Sequence, residues 1–200
     1  MPTLTVGAGQ NGSGKSTFVQ AHRLDTIDPD RLTRELGQGY NDAANLAGAR
    51  SAVKAQQKAL EEGRSFGVET TLAARQPLTL MEKAKAQGYE VCLAFVVPHP
   101  DEDTRLRIDN RVMQGGHNIS DEDLERRAPK VLENLPDAMR RADLTAIYVS
   151  SAKERDFVMV GAMHQGQVTV APQMPEQVRA VIEREFSQMQ QADTIAVPIR

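Results

Sequence analysis

Tryptophan is absent, aromatic residues make up 4% of the 200 positions, and Cys92 is the one cysteine. A single thiol excludes an internal disulfide and any cysteine-based zinc cluster. So few aromatics argue against a stacking platform for single-stranded nucleic acid. Neither sign of charge dominates: 24 Lys and Arg face 27 Asp and Glu, for a net charge of −3. That balance gives no global attraction to nucleic acid or to an acidic membrane surface. Val91 to Val97 is the longest apolar run, far short of the ~20 residues a membrane helix needs. The opening stretch MPTLTVGAGQ lacks the basic region and long apolar segment of a signal peptide. The expected compartment is the cytoplasm, and neither nucleic acid nor membrane is an expected partner. With 40% hydrophobic and 26% charged residues, the chain suits one globular domain that buries its core without staples.

Strand-like and helix-like segments alternate along the chain. Strands are predicted at Thr3 to Ala8, Thr26 to Ile27, Phe66 to Glu69, Glu90 to Val97 and Leu144 to Val149. Helices are predicted from about Gly14 to Arg23, Asn41 to Glu62 (closed by Gly63) and Gln76 to Gln87. Asp28-Pro29-Asp30 ends the second strand. Pro29 biases Asp28 away from helix, and Asp30 sits where a helix N-cap is expected. Two charged helices, Asp101 to Met113 and Ser120 to Arg140, flank Gly115-Gly116-His117-Asn118. Asp156 to Met163 and Gln167 to Val170 read as a hairpin, and Pro175 to Gln190 as a last amphipathic helix. The expected fold is α/β, of the P-loop NTPase type: a mostly parallel sheet flanked by helices, with a helical lid and a C-terminal hairpin plus helix. The whole chain, 1–200, is expected to be a single domain, its core in 1–150 and an extension in 151–200.

The sharpest motif is Gly9-Gln10-Asn11-Gly12-Ser13-Gly14-Lys15-Ser16, a full match to G-x-x-x-x-G-K-[ST] between a strand and a helix. Glycines let the backbone curl so that N–H groups converge on phosphate oxygens, and the following helix adds its positive end. Lys15 is expected on the β- and γ-phosphates and the Ser16 hydroxyl on Mg²⁺. Gly9, Gln10, Asn11, Gly12, Ser13, Gly14, Lys15, Ser16 and Thr17 are therefore the candidate nucleotide-binding residues. Gly7-x-Gly9-x-x-Gly12 also fits the dinucleotide fingerprint, with Asp28 about 20 residues on. That alternative leaves Lys15-Ser16 unexplained and starts the helix too early.

No Asn-Lys-x-Asp guanine reader is present, and no clean apolar run ends in a metal-holding Asp. A small kinase remains. It needs a carboxylate to take the acceptor's proton and cations to meet transition-state charge. Asp30, just past the second strand, is the candidate base, with helix capping as its structural alternative. Asp28 is left with water-mediated Mg²⁺ ligation or shaping of the turn. Arg105, Arg107, Arg111, Arg126 and Arg127 crowd the two lid helices; a solvated charge face, interleaved with acids, is the alternative for each. His117 is placed to contact phosphate or substrate, or to cap its loop.

These residues resemble the zeta toxins and their chromosomal zeta-like relatives. The likeness lies in AGQNGSGKST (8–17), IDPDRL (27–32), ETTLA (69–73), GYEVCLAFVV (88–97) and RVMQGGHNISDEDLERRAPKVLENL (111–135). It implies a kinase that uses ATP or GTP with Mg²⁺ and phosphorylates a sugar hydroxyl of UDP-N-acetylglucosamine or a similar nucleotide sugar, with an antitoxin protein as a further partner. It also implies Asp30 as base, Glu69 in the acceptor pocket beside Thr70 or Thr71, and Arg111 as the first lid arginine. Gly115-Gly116-His117 replaces an arginine-bearing segment of the plasmid-borne toxins. The second lid role therefore falls to Arg126, Arg127 or His117. Two other functions fit the same motifs, a small-metabolite kinase of the shikimate or gluconate type and a catalytically silent nucleotide-binding module.

Overall fold

The computed structural model describes residues 1–35, 42–99, 104–113, 120–150, 156–186 and 189–191. Eight strands among these form one sheet. They are β1 (Thr3–Ala8), β2 (Thr26–Ile27), β3 (Phe66–Thr70), β4 (Glu90–Pro98), β5 (Leu144–Ser150), β6 (Phe157–His164), β7 (Gln167–Val170) and β8 (Met189–Gln191). The order across the sheet is β2-β3-β1-β4-β5-β6-β7-β8. The first five strands are mutually parallel, and β6 pairs antiparallel with both β5 and β7. The helices are α1 (Lys15–Ala21), α2 (Pro29–Glu35), α3 (Asp42–Glu61), α4 (Gln76–Ala86), α5 (Thr104–Met113), α6 (Asp121–Arg141) and α7 (Glu176–Glu185). Among the described residues no helix is long and apolar enough to cross a membrane.

Alternation along the strands separates two faces. Leu4, Val6 and Ala8 of β1, Val91, Leu93, Phe95 and Val97 of β4, and Ile147 and Val149 of β5 belong to the main core. Leu78 and Met81 of α4, Leu135 and Met139 of α6, and Val178 and Ile182 of α7 complete it. On the opposite face Ala94, Val96, Ala146 and Tyr148 pack against Phe18 of α1 in a much smaller cluster. The β4 segment is thus apolar on both faces, as its sequence predicts, because helices lie against both.

Two expectations need correction. Asp28, not Asp30, caps α2. The Asp28 carbonyl accepts from the Leu32 N–H, and its carboxylate accepts from the Asp30 N–H at 2.9 Å. Pro29 is the first helical residue, where a missing N–H does no harm. Asp30 stands one position further into the first turn, exposed. The last helix is also shorter than expected: α7 ends at Glu185, and Met189–Gln191 instead adds a strand parallel to β7. The pattern over 175–190 carries the helical period only as far as Ile182, the last residue α7 buries.

Candidate active site

The phosphate loop leaves the end of β1, in the middle of the sheet, and α1 returns from it. Ligands in such sheets bind beyond the carboxyl ends of the strands. Two loop glycines have no substitute. A Cβ on Gly9 would lie 2.2 Å from the Val96 carbonyl oxygen, and Gly14, at φ 89°, holds a left-handed conformation at the cap of α1. The first helical bond runs from the Phe18 N–H to the Gly14 carbonyl. The N–H groups of Ser16 and Thr17 thus have no acceptor inside the helix and lie where an anion is held.

The register of the central strands sets the acidic side of the site. Gly7 pairs with Glu69 and Ala8 with Thr70, which carries the end of β3 level with the loop. The Ser16 hydroxyl donates to Glu69 Oε2 at 2.7 Å. Burial raises the Glu69 pKa, and the negative charges of Asp28 and Asp30 push the same way. The Ser16 hydrogen bond and the Lys15 charge act against this. Glu69, Asp28, Asp30, Lys15 and Ser16 therefore share one electrostatic neighbourhood. The predicted threonines serve the chain turn after β3. Thr70 Oγ1 accepts from the Leu72 N–H at 3.0 Å, and Leu72 is buried at φ 64°, a conformation that costs a branched residue energy. Asn134 of α6 donates to the Leu72 carbonyl at 2.8 Å and fixes that turn from the other side.

On the lid side, a cavity of about 300 Å³ opens between Gln10 and Asn11 of the loop, Thr71, and the Leu124, Arg127 and Val131 face of α6. Of the predicted acceptor residues only Thr71 lines it; Glu69 and Asp30 do not. Arg127 lines it and Arg126 does not, although Asp123 binds both guanidiniums. The Arg126 bond holds the Asp123 carboxyl below the usual carboxylate range. Arg105 joins α5 to the start of α6 through Asp121 at 2.7 Å. The Arg111 side chain and His117 lie outside the described residues. A larger cavity, about 520 Å³, lies under α1 on the sheet face between Thr5, Cys92, Ala146 and Tyr148, away from the phosphate loop.

Two residues at the loop escaped the sequence reading in this role. Arg107 of α5 donates to the Gly12 carbonyl at 3.1 Å and to Ser150 Oγ at 3.0 Å, and Ser150 Oγ donates to the Ser13 carbonyl at 2.6 Å. No local signal marks them. Arg107 is one of several lid arginines, and Ser150 is a polar residue at a strand end.

For Mg²⁺, the relevant donors are hard oxygens: Ser16 Oγ, with the carboxylates of Asp28 and Glu69 nearby. Among the described residues no cluster of three His, Cys, Asp or Glu forms a metal cage. Magnesium does not need one, since it keeps water and takes one or two protein ligands plus phosphate oxygens. The residues fit the ion.

Comparison with known proteins agrees with this architecture. The chain is 31% identical over 117 residues to an uncharacterized protein of Haemophilus influenzae, covering 57% of this chain and 84% of that one. The toxin–antitoxin system PezAT of Streptococcus pneumoniae contains a similar fold, with a TM-score of 0.55 and 22% identity, over 79% of this chain and 70% of that chain. The AvrRxo1-ORF1:-ORF2 complex with ATP gives a TM-score of 0.69 at 14% identity, over 100% of this chain and 66% of that chain. The family model for zeta toxin matches residues 1–159, and the chain belongs to the zeta toxin family.

Proposed function

We propose that the protein is a kinase that transfers the γ-phosphoryl group of ATP or GTP to a sugar hydroxyl of UDP-N-acetylglucosamine or a similar nucleotide sugar. The observation that carries this is the 2.7 Å hydrogen bond between Ser16 and Glu69. It joins the donor side of the site, a phosphate loop, to a group of carboxylates suited to an alcohol acceptor. Lys15 and the loop N–H groups hold the β- and γ-phosphates. Asp30 accepts the proton of the acceptor hydroxyl as the new P–O bond forms and the bond to the nucleotide breaks. With Asp28 as the cap, the Asp30 carboxylate is left for chemistry. Glu69 and Thr71 contact the acceptor. Arg111, with Arg127 or Arg126 and with His117, meets the charge on the transferring group. Ser16 would hold Mg²⁺, which neutralises phosphate charge when bound. Membership of the zeta toxin family and the likeness to PezAT also support an antitoxin partner.

The test is direct. Purified protein is incubated with Mg²⁺ and ATP or GTP, and with UDP-N-acetylglucosamine, shikimate or gluconate in parallel, and products are followed by mass spectrometry. A phosphorylated nucleotide sugar is expected. Phosphorylation of the small hydroxy acids alone would move the assignment to a small-metabolite kinase. Tight ATP binding without transfer to any acceptor would make the protein a silent nucleotide-binding module.

A further inference from the structure

The loop's inner carbonyls are held from behind by two distant residues. Arg107 Nη1 donates to the Gly12 carbonyl at 3.1 Å and to Ser150 Oγ at 3.0 Å, and Nη2 donates to the Ser150 carbonyl at 3.4 Å. The Ser150 hydroxyl in turn donates to the Ser13 carbonyl at 2.6 Å. Two successive peptide groups of the loop are thus fixed by one guanidinium and one hydroxyl. In a trans peptide the C=O and N–H point in opposite directions, and no cis bond occurs among the described residues. Fixing the Ser13 carbonyl therefore fixes the Gly14 N–H on the other side. Fixing the Gly12 carbonyl does the same for the Ser13 N–H, which closes onto the Gln10 carbonyl at 3.1 Å. Both peptides need such a restraint because Gly12 (φ 77°) and Gly14 (φ 89°) flank them, and glycine backbone turns easily.

We propose that Arg107 is a positioning residue for phosphoryl transfer: with Ser150 it sets the direction of the loop's peptide groups, and so links the shape of the phosphate cradle to lid helix α5. This rests on the loop being the nucleotide site. Arg107 acts through the loop backbone. Its permanent charge lies behind the loop, so the loop's dipoles stay aimed before any nucleotide arrives. Lysine is a poor replacement: its shorter reach and single nitrogen lack the second donor position, Nη2, and the rigid planar fork that holds these partners in one geometry.

The experiment measures Mg·ATP affinity by calorimetry, kcat and melting temperature for wild type, Arg107→Met, Arg107→Lys, Ser150→Ala, Ser150→Thr and the double variant Arg107→Met/Ser150→Ala. Arg107→Met should weaken ATP binding by about tenfold or more, the range for a lost charge-assisted hydrogen bond, and lower kcat as well. Arg107→Lys should recover little. Ser150→Ala should weaken binding roughly three- to fivefold, and Ser150→Thr, which keeps the hydroxyl, should restore it. The double variant should lose less than the product of the single losses, because both residues hold adjacent peptides of one loop. Wild-type affinity and kcat in Arg107→Met, or a lower melting temperature with unchanged affinity of the folded protein, would overturn the proposal. So would fully multiplicative losses in the double variant. If Arg107→Met fails to fold, the Ser150 pair decides by the same criteria. A wild type that binds no nucleotide would remove the nucleotide-site reading and this inference with it. Binding by wild type and Arg107→Met alike would remove this inference alone.

Discussion

The phosphate loop and the lid both gather positive groups around one site, yet they hold them in opposite ways. In the loop, Gly9, Asn11 and Ser13 are buried, and the backbone is fixed through carbonyls by residues far along the chain. In the lid, Arg105, Arg126 and Arg127 are paired with aspartates near solvent. Surface pairs of this kind are worth about 0–1 kcal/mol each. The loop is therefore firmly held, while on the proposed function a lid arginine would exchange its aspartate for a phosphate oxygen at little cost. On that reading, one half of the site suits a constant ligand and the other suits charge that appears only during transfer.

The largest effect should come from the cradle. Lys15→Ala should abolish phosphoryl transfer and weaken nucleotide binding, while the melting temperature barely moves. A turnover assay showing less than about a tenfold loss would break the contrast at its strongest point. Next comes the base. Asp30→Asn should bind ATP normally and lose transfer by about two to four orders of magnitude. Asp28→Asn should lose less, since asparagine caps a helix about as well as aspartate. Normal turnover in Asp30→Asn would shift the base to Glu69.

The lid should give a smaller and uneven response. Arg127→Ala should lower kcat by roughly ten- to a hundredfold with ATP affinity little changed, because it removes a contact made to transition-state charge. Arg126→Ala, outside the cavity wall, should stay within about threefold of wild type. Equal small effects at both would make the α6 arginines a solvated face. The smallest effect concerns stability. Burial raises the Glu69 pKa, so the folded state binds that proton more tightly than the unfolded chain does. Stability from this group is present below the ordinary carboxylate pKa and is lost as pH rises through the raised value. Glu69→Gln should therefore melt higher than wild type at neutral pH, by roughly 2 °C. The gain should vanish in acid, which thermal melts across the pH range would detect.

Much of the fold was legible because its signals are local. Turn residues and β-branched runs mark the strands, and the glycine pattern with Lys15-Ser16 marks the loop. Asp28-Pro29-Asp30 shows the limit of such reading. Both aspartates suit a cap, and only the position of Pro29 at the first helical residue, together with the Asp28 hydrogen bond to the Asp30 N–H, decides between them. Met189–Gln191 shows another limit, since a strand at a sheet edge depends on the partner it finds and not on its own three residues. Arg107 and Arg127 could not be ranked above their neighbours from spacing alone. Their roles depend on where α5 and α6 are docked, and interleaved acids make all the lid arginines look alike.

The separation in sequence of the partners around the loop also bears on how the protein is made. The loop is the first feature synthesised after β1, yet β1 pairs with residues 66–70 and 90–95. The Ser13 carbonyl meets its hydroxyl 137 residues later. Parallel pairings across such spans form slowly, because the intervening chain must be gathered first. A nascent chain that has not yet delivered Ser150 carries the complete motif but lacks one of the restraints on its loop. On the proposed function, full affinity for nucleotide is thus tied to completion of the sheet, and a half-made chain would hold its phosphate loop less firmly than the finished protein does.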